Sequence, residues 1–204
     1  MNEFSRRNFL KGCGLAATIS LTSAVYADTL STDNTVLKKK FNYTHLIYDE
    51  TSDISKSFAK SLKAGGKAKM LKVDNDISDI YFKLTNSLKK HPNSVITGLS
   101  SYETFFVMQN LLKDYGFVLF HSGTHTIQNG AIKHEIKTSA SMSDKISKSL
   151  KSKEWQRNLA TNLSSFVLEK NSHKFELTTP NKGEQESIMC SWIMASKNVK
   201  GAVI

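Results

Sequence analysis

The chain predicts an α/β fold of three layers built on a mostly parallel sheet. Three observations carry that expectation. Short apolar runs alternate with stretches whose apolar residues recur at helical spacing, the links between them are short, and an Asn-Gly pair separates two alternating runs in the second half.

The pattern begins after residues 28–40, a polar linker ending in Lys38, Lys39 and Lys40, so residues 41–204 are expected to form one domain. The run HLIYD (45–49) reads as a strand. Behind it Ile54, Phe58 and Leu62 mark a helix capped by Thr51 or Ser52 and stopped at Gly65-Gly66. AKMLKVD (68–74) is a second strand, and Ile77, Ile80, Tyr81, Leu84 and Leu88 mark a helix capped near Asn75 or Asp76 that ends before Pro92. SVITG (94–98) is a third strand, followed by a helix capped by Ser100 or Ser101 and stopped at Gly116. FVLFH (117–121) is a fourth strand. Short strand-helix units require parallel strands, because each helix must return the chain to the same end of the sheet. Such units build a Rossmann-like or flavodoxin-like core. Asn129-Gly130 then marks an added hairpin. Residues 139–170 read as amphipathic helix, with Met142, Ile146, Leu150, Leu159, Leu163, Phe166 and Val167 on the buried side. KFELTT and ESIMCSWIMAS (186–196) read as closing strands, the last continuous enough in apolar residues to lie centrally.

The first residues carry an address. Arg6, Arg7 and Lys11 precede a short apolar run, Gly12 to Val25, and Val25-Tyr26-Ala27 places small residues where a signal peptidase cuts, after Ala27. The run is diluted by glycines and hydroxyl residues and falls short of the ~20 apolar residues of a membrane span, so no permanent anchor is expected. Ser5-Arg6-Arg7-Asn8-Phe9-Leu10-Lys11 closely resembles the consensus of bacterial twin-arginine (Tat) signal peptides. The resemblance covers residues 1–27 and implies export, already folded, by the Tat translocase to the periplasm. The domain behind it is similar to uncharacterised Tat-exported proteobacterial α/β proteins through Gly98 to Tyr102 and Ser191 to Ser196.

Composition narrows the function. The chain has a formal net charge of +10, and residues 28–204 keep +8 of it. Yet Arg157 is the one arginine after the signal, and no aromatics are interleaved among the lysines, so no nucleic-acid partner is expected. After a cut at Ala27 only Cys190 remains, which excludes an internal disulfide, a thiolate-bound Fe-S cluster and a C-x-x-C redox centre. No glycine-rich phosphate loop is present either. Cys190 itself, among apolar neighbours, reads as a buried, inert thiol.

In an open α/β sheet, ligands gather at the carboxyl ends of the strands. The residues expected there are Asp49, Glu50 and Thr51, then Asp74, Asn75 and Asp76, then Ser100 and Ser101, then His121, Ser122 and His125. Several of these also serve as helix caps. Gly98-Leu99-Ser100 resembles the start of the nucleophile elbow of the α/β-hydrolases, with His121 or His125 as a candidate base, but Tyr102 stands where that motif has glycine. His121 and His125, helped by Asp49, are also the candidate ligands should a metal bind, although no third ligand is evident and no cofactor is expected. The leading expectation is a non-catalytic accessory protein acting on a small-molecule ligand or a co-exported partner. The alternative is a periplasmic hydrolase using Ser100 or a metal at His121 and His125.

Overall fold

A computed structural model describes residues 42–74, 76–169 and 171–199. The expected signal peptide of residues 1–27, the expected cut after Ala27 and the expected linker of residues 28–40 lie outside them, as does Asn75. Seven strands form one sheet: β1 (His45–Asp49), β2 (Lys69–Val73), β3 (Val95–Ser101), β4 (Phe117–Gln128), β5 (Ala131–Ser139), β6 (Ser172–Pro180) and β7 (Ser187–Ser196). Among the described residues five α-helices cover it: α1 (Asp53–Ala64), α2 (Ser78–Lys90), α3 (Tyr102–Asp114), α4 (Ser143–Leu150) and α5 (Trp155–Leu163). The spatial order of strands is β2-β1-β3-β7-β4-β5-β6. Among the described residues no helix is long and apolar enough to cross a membrane.

The α/β class holds, and the described residues form three layers. One apolar layer joins Ile54, Phe58 and Leu62 of α1 with Ile146 of α4 and Leu159 and Leu163 of α5. The other joins Ile80, Leu84 and Leu88 of α2 with Met108, Leu111 and Leu112 of α3. Helices α1 and α2 therefore take opposite faces. A right-handed path demands this when the chain steps outward from β1 to β2 and then back across β1 to β3. Burying a side chain such as Phe58 in these layers contributes about 1.5–3 kcal/mol.

Helices α1 and α3 start where the capping rule puts them. Ser52 accepts from the Ser55 amide at the head of α1, and Ser101 accepts from the Thr104 amide at the head of α3. Helix α2 lacks a side-chain cap at Ile77, but Asp76 Oδ1 accepts from the Ser78 amide one residue further on.

Two features depart from the simplest strand-helix reading. Strand β4 runs in the same direction as β3 but does not touch it. The last strand, β7, lies between them, antiparallel to both. Its inner residues Cys190 to Ala195 are buried on both faces, which is why the run reads as continuously apolar. Strand β4 also extends well past residue 121, through Gln128 into the Asn129-Gly130 turn. Both turn residues have positive φ, 53° and 72°, as a two-residue hairpin requires. A bulge between Leu119 and His121 breaks the alternation of β4, so that Phe120 and His121 both face the α4/α5 layer.

Candidate functional site

The order β2-β1-β3 places a topological switch point between β1 and β3, and a cleft opens there at their carboxyl ends. Its volume is about 1240 Å³. The inner wall is Asp49, which ends β1, and Ser101, which ends β3. Asp49 is buried and ties the two strands to α3. Its Oδ2 accepts from the Ser101 amide and its Oδ1 accepts from the Thr104 hydroxyl at 3.2 Å. Burial raises the pKa of this carboxyl, and the bonds from Ser101 and Thr104 oppose that rise. Behind it Ser55 of α1 accepts from the Asp49 amide at 2.8 Å and donates to the Leu99 carbonyl.

The outer wall is charged. Lys56 and Lys60 come from α1, Arg157 from α5, and Lys182, Glu184 and Glu186 from the loop before β7. Several of these charges are already held. Lys56 pairs with Asp53 at 2.7 Å, Arg157 with Glu154 at 2.9 Å, and Glu186 accepts from the Asn129 amide at 3.0 Å. Both signs face one space, an arrangement suited to a small polar molecule carrying charges of its own rather than to an apolar one.

The expected site residues divide into two groups. Asp49, Thr51 and Ser101 line the cleft. Glu50, next to them, turns aside to pair with Lys72 at 2.6 Å. Ser100, His121, Ser122 and His125 do not reach it, because β3 and β4 are longer than the sequence pattern indicates and carry these residues inside the sheet. Gly98 and Ser100 are strand residues, not an elbow. A Cβ on Gly98 would come within 2.6 Å of the Ile47 carbonyl oxygen and 2.9 Å of the Trp192 ring. The Trp192 indole donates to Ser100 Oγ at 3.3 Å. Ser100 therefore sits on the α2/α3 side, while His121 and His125 face α4 and α5.

There the histidines join a chain that runs across four strands. His121 Nε2 and His125 Nε2 lie 3.0 and 2.9 Å from Ser191 Oγ on β7. His125 Nδ1 meets His134 Nδ1 on β5 at 2.8 Å, and His134 Nε2 reaches Thr179 Oγ1 on β6 at 3.1 Å. With every ring neutral, two proton arrangements use the Ser191 hydroxyl proton within the chain. In one, His121 donates to Ser191, Ser191 to His125, His125 to His134, and His134 to Thr179. In the other, every donor and acceptor is reversed. Desolvation lowers His121 to about 3 and His134 to about 4, and holds His125 well below the ordinary imidazole value. Trp155 covers the chain, with its ring centre 4.6 Å from that of His125.

Ser191, His125 and His134 have the spacing of nucleophile, base and orienting group. All three are fully buried, and a Cβ on Gly123 would already stand 2.6 Å from Ser191 Oγ, so no substrate carbonyl fits beside the hydroxyl. The arrangement is a closed network in the core. No group of three or more His, Cys, Asp or Glu among the described residues is placed to hold a metal ion. Asp49 is committed to Ser101 and Thr104.

Sequence reasoning missed His134, Ser191 and the charged outer wall of the cleft. The hairpin signal contained the first of these. In a two-residue turn the residue four before Asn129 faces the residue four after Gly130, which pairs His125 with His134. Ser191 and Arg157 had no comparable signal, since their positions depend on how β7 and α5 pack.

Comparison with known protein families, with curated proteins and with solved structures finds no match to this chain.

Proposed function

We propose that this is an exported periplasmic α/β protein, carried by the twin-arginine pathway, that binds a small polar ligand or a co-exported partner without catalysing a reaction. The cleft at the β1/β3 switch point carries the binding reading. It is wide, lined by both signs of charge, and placed where open α/β sheets take ligands. The motif from Ser5 to Lys11 supports the export reading. The hydrolase alternative gains nothing from the geometry, since Ser100 meets neither His121 nor His125.

The test is native mass spectrometry of the protein recovered from periplasm, before and after a chelator, alongside the Arg157→Ala variant. The expected result is a chain beginning at residue 28 that carries a small bound mass, unaffected by the chelator and lost in the variant. A chain retained in the cytoplasm with residues 1–27 intact overturns the export reading. A bare mature chain that also recovers no co-purifying protein overturns the binding reading. Mass lost to the chelator would favour the metal alternative.

A further inference from the structure

The two edges of the sheet are unlike. Strand β2 is five residues long and carries Lys69 and Lys72, and short, lysine-bearing edges resist pairing with other strands. Strand β6 is nine residues long and hydrogen-bonded to β5 on one side. Among the described residues nothing pairs with its other side, and its backbone groups there are a template for a further strand.

The side chains of β6 indicate which strand. On the face away from α4, Lys174 stands directly opposite Lys137 of β5, and Glu176 directly opposite Glu135. Like charges so placed are unfavourable. Lys133 relieves the carboxylates, bonding Glu135 at 2.9 Å and Glu176 at 3.3 Å. Lys174 has no ion pair among the described residues. The pattern Lys174-Phe175-Glu176 is thus a charge pair about a central aromatic, complementary to itself when reversed.

We propose that a second copy of this chain adds to the β6 edge, antiparallel, about a two-fold axis through Phe175, so that the two sheets become one. In that register Lys174 of each copy faces Glu176 of the other, and the two Phe175 rings meet on the covered face. Neighbouring registers lack this match. An axis at Glu176 sets Lys174 against Thr178, and an axis at Lys174 sets that lysine against itself. An axis perpendicular to the sheet keeps each residue on its own face, so registers shifted by an odd step do not arise.

The experiment is sedimentation equilibrium of the full chain over a concentration series, with hydrogen exchange on residues 172–180. The variants are Lys174→Glu and the double swap Lys174→Glu with Glu176→Lys. The single variant sets two carboxylates against each other across the dimer axis, while giving Lys137 an opposite charge within its own chain, so the fold is retained as the dimer is weakened. The expected result is a dimer whose dissociation constant rises at least tenfold in the single variant and returns in the double. Amides of β6 should gain protection with concentration. A monomer at every concentration, a dimer indifferent to Lys174→Glu, or β6 protection independent of concentration, meaning the chain covers its own edge, each overturns the proposal.

Discussion

Acidification from pH 7.5 to pH 5.0 is expected to remove about 6 kcal/mol of folding stability through the His121–His125–His134 chain alone. The sign follows from where the protons bind. The unfolded chain takes up a proton on each imidazole near pH 6.5, whereas in the fold His121 waits until about 3 and His134 until about 4, with His125 held well down too. Stability is therefore complete above pH 6.5 and falls as the pH drops toward the folded values. At pH 5 each histidine contributes a loss of about 2 kcal/mol, 1.5 pH units below an unperturbed imidazole. The groups in contact with the chain include Trp155, Phe166, Ser191 and Thr179, and the causes acting on the three imidazoles are burial and one another, with no carboxylate favouring the imidazolium form. His45, held low by burial and by Lys69, adds in the same direction. Urea unfolding followed by far-UV circular dichroism at both pH values reads the loss. Since domains have about 5–15 kcal/mol in total, the loss is a large share of the stability, and the midpoint should fall steeply between the two pH values. His121 makes one bond in the chain and its Nδ1 makes none, so His121→Leu should keep the fold and remove about a third of the pH dependence. An unfolding midpoint equal at the two pH values would show that the histidines are not held neutral by burial, and the reasoning would fail.

Other outcomes follow from single contacts. Gly123→Ala should destabilise the fold by about 1–3 kcal/mol in a thermal or urea melt, because its Cβ would stand 2.6 Å from both Ile136 Cδ1 and Ser191 Oγ. Asp49→Ala removes the acceptor for the Ser101 amide and the Thr104 hydroxyl, with an expected loss of about 1–3 kcal/mol. Cys190, buried and pushed up to about 12, should resist alkylation by iodoacetamide at pH 8 until the protein is unfolded.

Neighbouring residues alone were enough for the local pieces: where strands and helices alternate, the one or two residues within which α1 and α3 are capped, where the hairpin turns, and that the run around Cys190 lies centrally. Periodicity and capping are properties of neighbouring residues, so they are visible without a fold. The limits of β3 and β4 were not. His121, Gly123 and His125 are polar or small, the signature of a loop. They stay in the strand because β7, arriving from the far end of the chain, supplies Ser191 to satisfy their hydrogen bonds and fills the space Gly123 leaves. Only the tertiary structure could show that, since a buried polar group is acceptable only once its partner is in place. The cleft divides in the same way. Asp49, Thr51 and Ser101 were legible as strand-end residues, whereas Arg157 and Lys182 reach it through packing across more than a hundred residues of chain.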